Sequence, residues 1–247
     1  MENELRPFWS RLFNFDWKLG LFLLLLICIP RFILVLDANA SGDYGYIGLI
    51  MLLSAIAPFV FLSRFGRKKI GLVRTRKYKW LAYAFVGGLA ASILLHFIGQ
   101  SLYGNTVENW YYYIGRSYKI PAEITVENKT ILFAIIAFTS MTFSPFGEEL
   151  FFRGIVHSSI AKSVGDKKAS FADSLAFALT HISHFCLIYI NAEWTLLTIP
   201  TIIWVASMFL VSIMFFVFRQ YSESIWGAVI GHSAFNLGMT YCIFFLM

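Results

Sequence analysis

Repeated apolar runs of about 20 residues fix what this chain can be before any motif is considered. A hydrocarbon core roughly 30 Å thick is crossed by about 20 residues rising 1.5 Å each. Seven stretches read as spans: 19–36, 45–63, 80–102, 130–161, 171–190, 196–218 and 225–246. Hydrophobic residues make up 58% of the 247-residue chain and charged residues 14%, which excludes an ordinary soluble domain. The expected fold is therefore all-α, a polytopic transmembrane helical bundle. Residues 1–18, with FWSRLFNFDW, read as an amphipathic lead-in on the cytoplasmic side, and 19–247 as a single membrane domain. The fourth run is too long for one straight crossing. Pro145 lacks a backbone donor and disfavours helix just before it, which predicts a break at that point.

Lys and Arg sort the connections into two sets. Residues 64–79 hold eight of the 20, and residues 1–18, 162–170 and 219–224 add three, three and one. The opposite connections carry only Arg116, Lys119 and Lys129, so the basic set and the amino terminus are expected in the cytoplasm. The net charge of +6 is thus topological, and the partner it implies is the lipid bilayer with its anionic headgroups. No nucleic-acid partner is expected, because no folded domain presents the basic loop. Cys28, Cys186 and Cys242 sit in apolar runs without a CxxC, as packing residues do.

Within the spans the ionisable groups are Arg31, His96, Glu148, Glu149, Arg153, His157, His181, His184 and His232. Each invites a functional reading, since charge is costly in the hydrocarbon layer. Arg31 lies near the outer end of its span, where it is expected to snorkel, and His96 stands alone as a packing residue. The stretch FGEELFFRG is different. Glu149 and Arg153 are four apart and share a helix face, whereas Glu148 points roughly 100° away. A plain buried pair accounts for the first two and leaves Glu148 as an uncompensated acid. His157 extends the Glu149–Arg153 row by one further turn. In AFALTHISHF, Phe177 and His181 are four apart, and in IGHSAFN so are His232 and Asn236, each pair stacked on one face.

The ordered set EExxxR, FxxxH and HxxxN, here Glu148-Glu149-xxx-Arg153, Phe177-xxx-His181 and His232-xxx-Asn236, resembles the CPBP (CAAX protease and bacteriocin-processing, or Abi) family of intramembrane proteases. That family includes the type II CAAX prenyl endopeptidases and bacterial relatives linked to bacteriocin processing or self-immunity. The resemblance covers roughly 130–240, the expected protease-like core. It implies an intramembrane endopeptidase acting on a membrane-associated peptide or protein, a CAAX-type, bacteriocin, pheromone or immunity-related substrate, in a bacterial cytoplasmic membrane. It also implies that Glu148 activates a water held by His181, that His232 and Asn236 stabilise the oxyanion, and that Glu149 and Arg153 support them. No cofactor is required by this scheme. Zinc, held by Glu148, His181 and His232, is the alternative, although HExxH is absent. Two rivals stand beside proteolysis: a non-catalytic immunity or scaffold protein that keeps the constellation for binding, and a small transporter, which would show repeated halves.

Overall fold

The computed structural model describes residues 2–247. Helices run α1 Trp17–Ser41, α2 Gly45–Phe61, α3 Arg64–Lys69, α4 Tyr78–Tyr103, α5 Trp110–Gly115, α6 Val126–Glu148, α7 His157–Val164, α8 Asp166–Thr180, α9 Ile182–Phe185, α10 Thr198–Ser222 and α11 Ile225–Phe245. A π-helical segment, Glu149–Val156, joins α6 to α7. Five units are long and apolar enough to cross a membrane: α1, α4, the continuous Val126–Val164 rod, α10 and α11. The chain is an integral membrane protein built as an all-α bundle.

Three expectations are corrected. The 45–63 run is α2, an apolar helix of 17 residues, and five units, not seven, reach spanning length. The long rod does not break at Pro145, which lies inside α6; the helix continues and loosens into the π segment directly after Glu148. Such segments carry i→i+5 bonding, and this one sets Glu149, Arg153 and His157 in a register that a regular helix does not give. The 171–190 run is not one helix either. It stops at Thr180, turns through His181, forms the short α9 and ends in the hairpin β1 Leu187–Ile190 with β2 Glu193–Leu196. Asn191 and Ala192 both take positive φ, as a two-residue hairpin turn requires.

Side chains near helix starts fix the frame. Asp16 accepts from the backbone of Lys18 and Leu19 at the start of α1, and Ser224 from that of Trp226 at the start of α11. Gly165, at φ 83°, makes the tight turn between α7 and α8. The helix ends bearing the basic segments meet at one end of the bundle: Leu5 bridges Leu62, Trp17 N donates to Ser163 Oγ, Thr75 Oγ1 donates to Ser222 O and Ile225 N donates to Gly71 O. At the other end Asn39 of α1 donates to Ser183 O, and Tyr113 Oη accepts from Tyr189 N. Helix α11 lies at the centre of the bundle, against α4, α6 and α10. Its Gly231 carbonyl rests against Gly88 of α4, an approach that only a missing Cβ permits.

Candidate active site

The local chain explains how each polar side chain reaches the interior. Glu148 is the last residue of α6 and Glu149 the first of the π segment, so the two carboxylates leave the rod in different directions. His181 caps the end of α8, where its Nδ1 donates at 2.7 Å to Phe177 O, a carbonyl that also accepts from Thr180 Oγ1. His232 and Asn236 lie one turn apart on α11. Arg31, from the middle of α1, reaches in from the opposite wall.

Glu148, His181, His232 and Asn236 line one cavity of about 180 Å³, together with Arg31 and His184. The acid is not uncompensated, which corrects the reading from spacing. Arg31 Nη2 donates to Glu148 Oε1 at 2.8 Å, both residues at most 3% exposed, and Ser144 Oγ donates to the same oxygen at 2.7 Å. Arg31 therefore does not snorkel. It also lies 3.4 Å from His184 Nε2, which must accept, because a guanidinium has only donors. The second oxygen, Glu148 Oε2, is buried without a hydrogen-bond partner and lies 4.0 Å from His181 Nε2.

His232 turns its Nδ1 to Glu149 Oε1 at 2.7 Å. Asn236 Nδ2 donates to Ser140 O at 2.8 Å, which leaves its second amide hydrogen available. Behind His232, Arg153 Nε lies 3.2 Å from Glu149 Oε2 as an ion pair whose angle makes no hydrogen bond, and Arg153 Nη2 donates to Ser212 Oγ at 2.5 Å. The guanidinium also lies 4.3 Å from the Phe177 ring centre, a cation–π contact of about 2 kcal/mol when desolvated. Phe177 in turn lies beside His181, with ring centres 4.3 Å apart. The supporting pair thus touches both histidine motifs.

Two further side chains fall elsewhere. His157 leaves the Glu149–Arg153 row and pairs through Nδ1 with Asp173 Oδ2 at 2.6 Å, away from the cavity. His96 is buried beside Tyr111 and Phe97, in keeping with packing. Spacing missed Arg31, His184 and Ser144 as cavity groups and Asp173 as a buried partner. The available signal was that each is polar within an apolar run, Ser144 four residues before Glu148.

Zinc is the alternative occupant of these donors. His181 and His232 each engage Nδ1 and leave Nε2 open, as metal-bound histidines do, but a guanidinium occupies Glu148 Oε1, and among the described residues no three His, Cys, Asp or Glu side chains form a metal-binding group. As placed, Glu148, His181 and His232 are not gathered into such a group.

Residues 130–238 match the family model described as Type II CAAX prenyl endopeptidase Rce1-like, which bears out the resemblance of the three motifs. No curated protein and no solved structure matches the chain.

Proposed function

We propose, from the match of residues 130–238 to the Rce1-like family model, that this chain is an intramembrane endopeptidase that hydrolyses a peptide bond in a membrane-associated peptide or protein. The observation that carries the reading is the pair Glu148 Oε2 and His181 Nε2, 4.0 Å apart on the cavity wall. That separation suits a bridging water. His181 gives its Nδ1–H to Phe177 O, so in the neutral ring Nε2 accepts; Glu148 Oε2 accepts as well. A water donating to both turns its lone pair toward a substrate carbonyl. Arg31 and Ser144 hold the other carboxylate oxygen and so aim the base.

Glu148 takes the water's proton as the oxygen attacks, and returns it to the departing amine. His232 and Asn236 stabilise the oxyanion from the same cavity wall, Asn236 through its second amide hydrogen. Glu149, Arg153 and Ser212 keep His232 in place. The family name, with its prenyl endopeptidase, supports a prenylated carboxyl-terminal segment as one substrate class, next to bacteriocin or pheromone precursors. We further propose a bacterial cytoplasmic membrane, with the amino terminus and basic segments in the cytoplasm. Residues 2–18 then form a lead-in to one membrane domain.

The test is cleavage by purified protein and its Glu148→Gln variant, compared through the peptides released in cells carrying each. Wild type should release peptides that the variant does not, and undiminished release by the variant refutes the assignment. Metal analysis accompanies it: stoichiometric zinc lost together with activity would replace the metal-free scheme. Flux in proteoliposomes without any cleavage would favour a transporter.

A further inference from the structure

A second cavity, of about 190 Å³, lies beside the catalytic one and shares Ile114 and His184 with it. It sits at the end of the bundle opposite the basic segments, between the close of α1, the start of α2, the α5 loop and the hairpin. Arg116, Lys119 and His184 contribute to its wall, and no Asp or Glu does. Arg116 and Lys119 have no carboxylate within ion-pair distance among the described residues. The remaining polar wall is largely committed. Tyr44 Oη donates to Asn39 Oδ1, Asn39 Nδ2 donates to Ser183 O, and Tyr113 Oη accepts from Tyr189 N while its own hydrogen stays available. Burial pushes the Tyr44 and Tyr113 phenols above their ordinary range, so both remain donors. The unmatched property of this space is positive charge.

The wall shared with the catalytic cavity brings Arg31 close to this space. His184 faces both spaces and lies 3.4 Å from Arg31 Nη2, and Arg31 Nε is buried with no hydrogen-bond partner. Arg31 Nε is thus an open donor near the wall that the two cavities share. About 190 Å³ is the liquid volume of roughly six waters at ~30 Å³ each, enough for one residue and not for a folded segment.

We propose that this cavity is a subsite for a carboxylate of the substrate peptide, bound by Arg116 and Lys119 while the neighbouring peptide bond lies over Glu148. The inference deepens the proteolytic reading and rests on it. The carboxylate comes from the peptide's carboxyl terminus or from an acidic side chain close to the scissile bond. Such an arrangement selects by charge at the entrance and weakens with salt, because both cations are exposed.

The experiment uses the full chain in detergent and three short fluorophore-tagged peptides of leucine and alanine: one with a free carboxyl terminus, its carboxyl-terminal amide, and that amide with one glutamate added. Binding is measured on wild type and on Glu148→Gln, and cleavage on wild type and on Arg116→Gln combined with Lys119→Gln. The expected result is binding of a carboxylate-bearing peptide at least about tenfold tighter than the plain amide, the scale one charge-assisted hydrogen bond supports. The preference should fall with added salt and vanish in the double variant through KM, with kcat on the amide unchanged. Preference for the first peptide assigns the carboxyl terminus, and for the third a side chain. Equal binding of all three, or a preference the double variant keeps, overturns the subsite. Cleavage without discrimination defeats the subsite and leaves proteolysis standing, whereas carboxylate-dependent binding with no cleavage does the reverse.

Discussion

Arg31 and Glu148, 117 residues apart in sequence, meet at 2.8 Å in a cavity wall where neither is more than 3% exposed. A buried pair of this kind offsets a large desolvation cost, so removing one partner strands the other. Arg31→Gln should cost about 3–5 kcal/mol of stability. Arg31→Gln combined with Glu148→Gln should recover much of that, since no lone charge is left. Thermal unfolding of the four proteins in detergent gives the cycle. Costs that simply add, to within about 0.5 kcal/mol, would mean that the pair is not coupled.

Much of the bundle was legible because hydropathy reports length and burial directly, and the i,i+4 spacings of Glu149–Arg153, Phe177–His181 and His232–Asn236 report shared faces. Arg31 was misread because depth along one helix says nothing about what stands opposite it; α1 runs on to Ser41, which puts Arg31 well inside the rod. The π segment was hidden for a related reason. Apolar composition around ELFFRGIV is the same for either helical pitch, so neither the departure of His157 from its row nor the unbroken path through Pro145 could be read from it. The hairpin after His181 was lost within an apolar run whose hydropathy does not separate strand from helix.

Arg153 is fully buried among Glu149, Ser212 and the rings of Phe177 and Phe215. Arg153→Ala should lower stability by about 3–5 kcal/mol and reduce the folded yield. Arg153→Lys keeps the charge but loses the planar face that stacks on Phe177, so it should recover only part. Unfolding in detergent separates the cases, and a Lys variant as stable as wild type would show that charge alone suffices.

Gly88 sets the distance between α4 and α11, because a Cβ there would run into the Gly231 carbonyl next to His232. Gly88→Ala should force the helices apart, move His232 from Glu149 and depress both stability and cleavage. Gly48→Ala is the control: it also lies in a helix, where Ala is favoured by about 1 kcal/mol, and its Cβ would meet nothing within 4 Å. Equal behaviour of the two variants would remove the close approach as the reason for glycine at 88.

The amino-terminal segment, the loop before α4, the α7–α8 turn and the α10–α11 turn converge at one end, which gathers the segments that hold 15 of the 20 Lys and Arg. Cationic clusters of this density are held on the cytoplasmic side during insertion. The 104–125 connection, with exposed Glu123, should then face outward. With Cys28, Cys186 and Cys242 replaced by alanine, an impermeant maleimide added to intact cells should label Glu123→Cys at once and Arg76→Cys only after permeabilisation. The inverse pattern would turn the molecule over, and with it the side on which Arg116 and Lys119 lie.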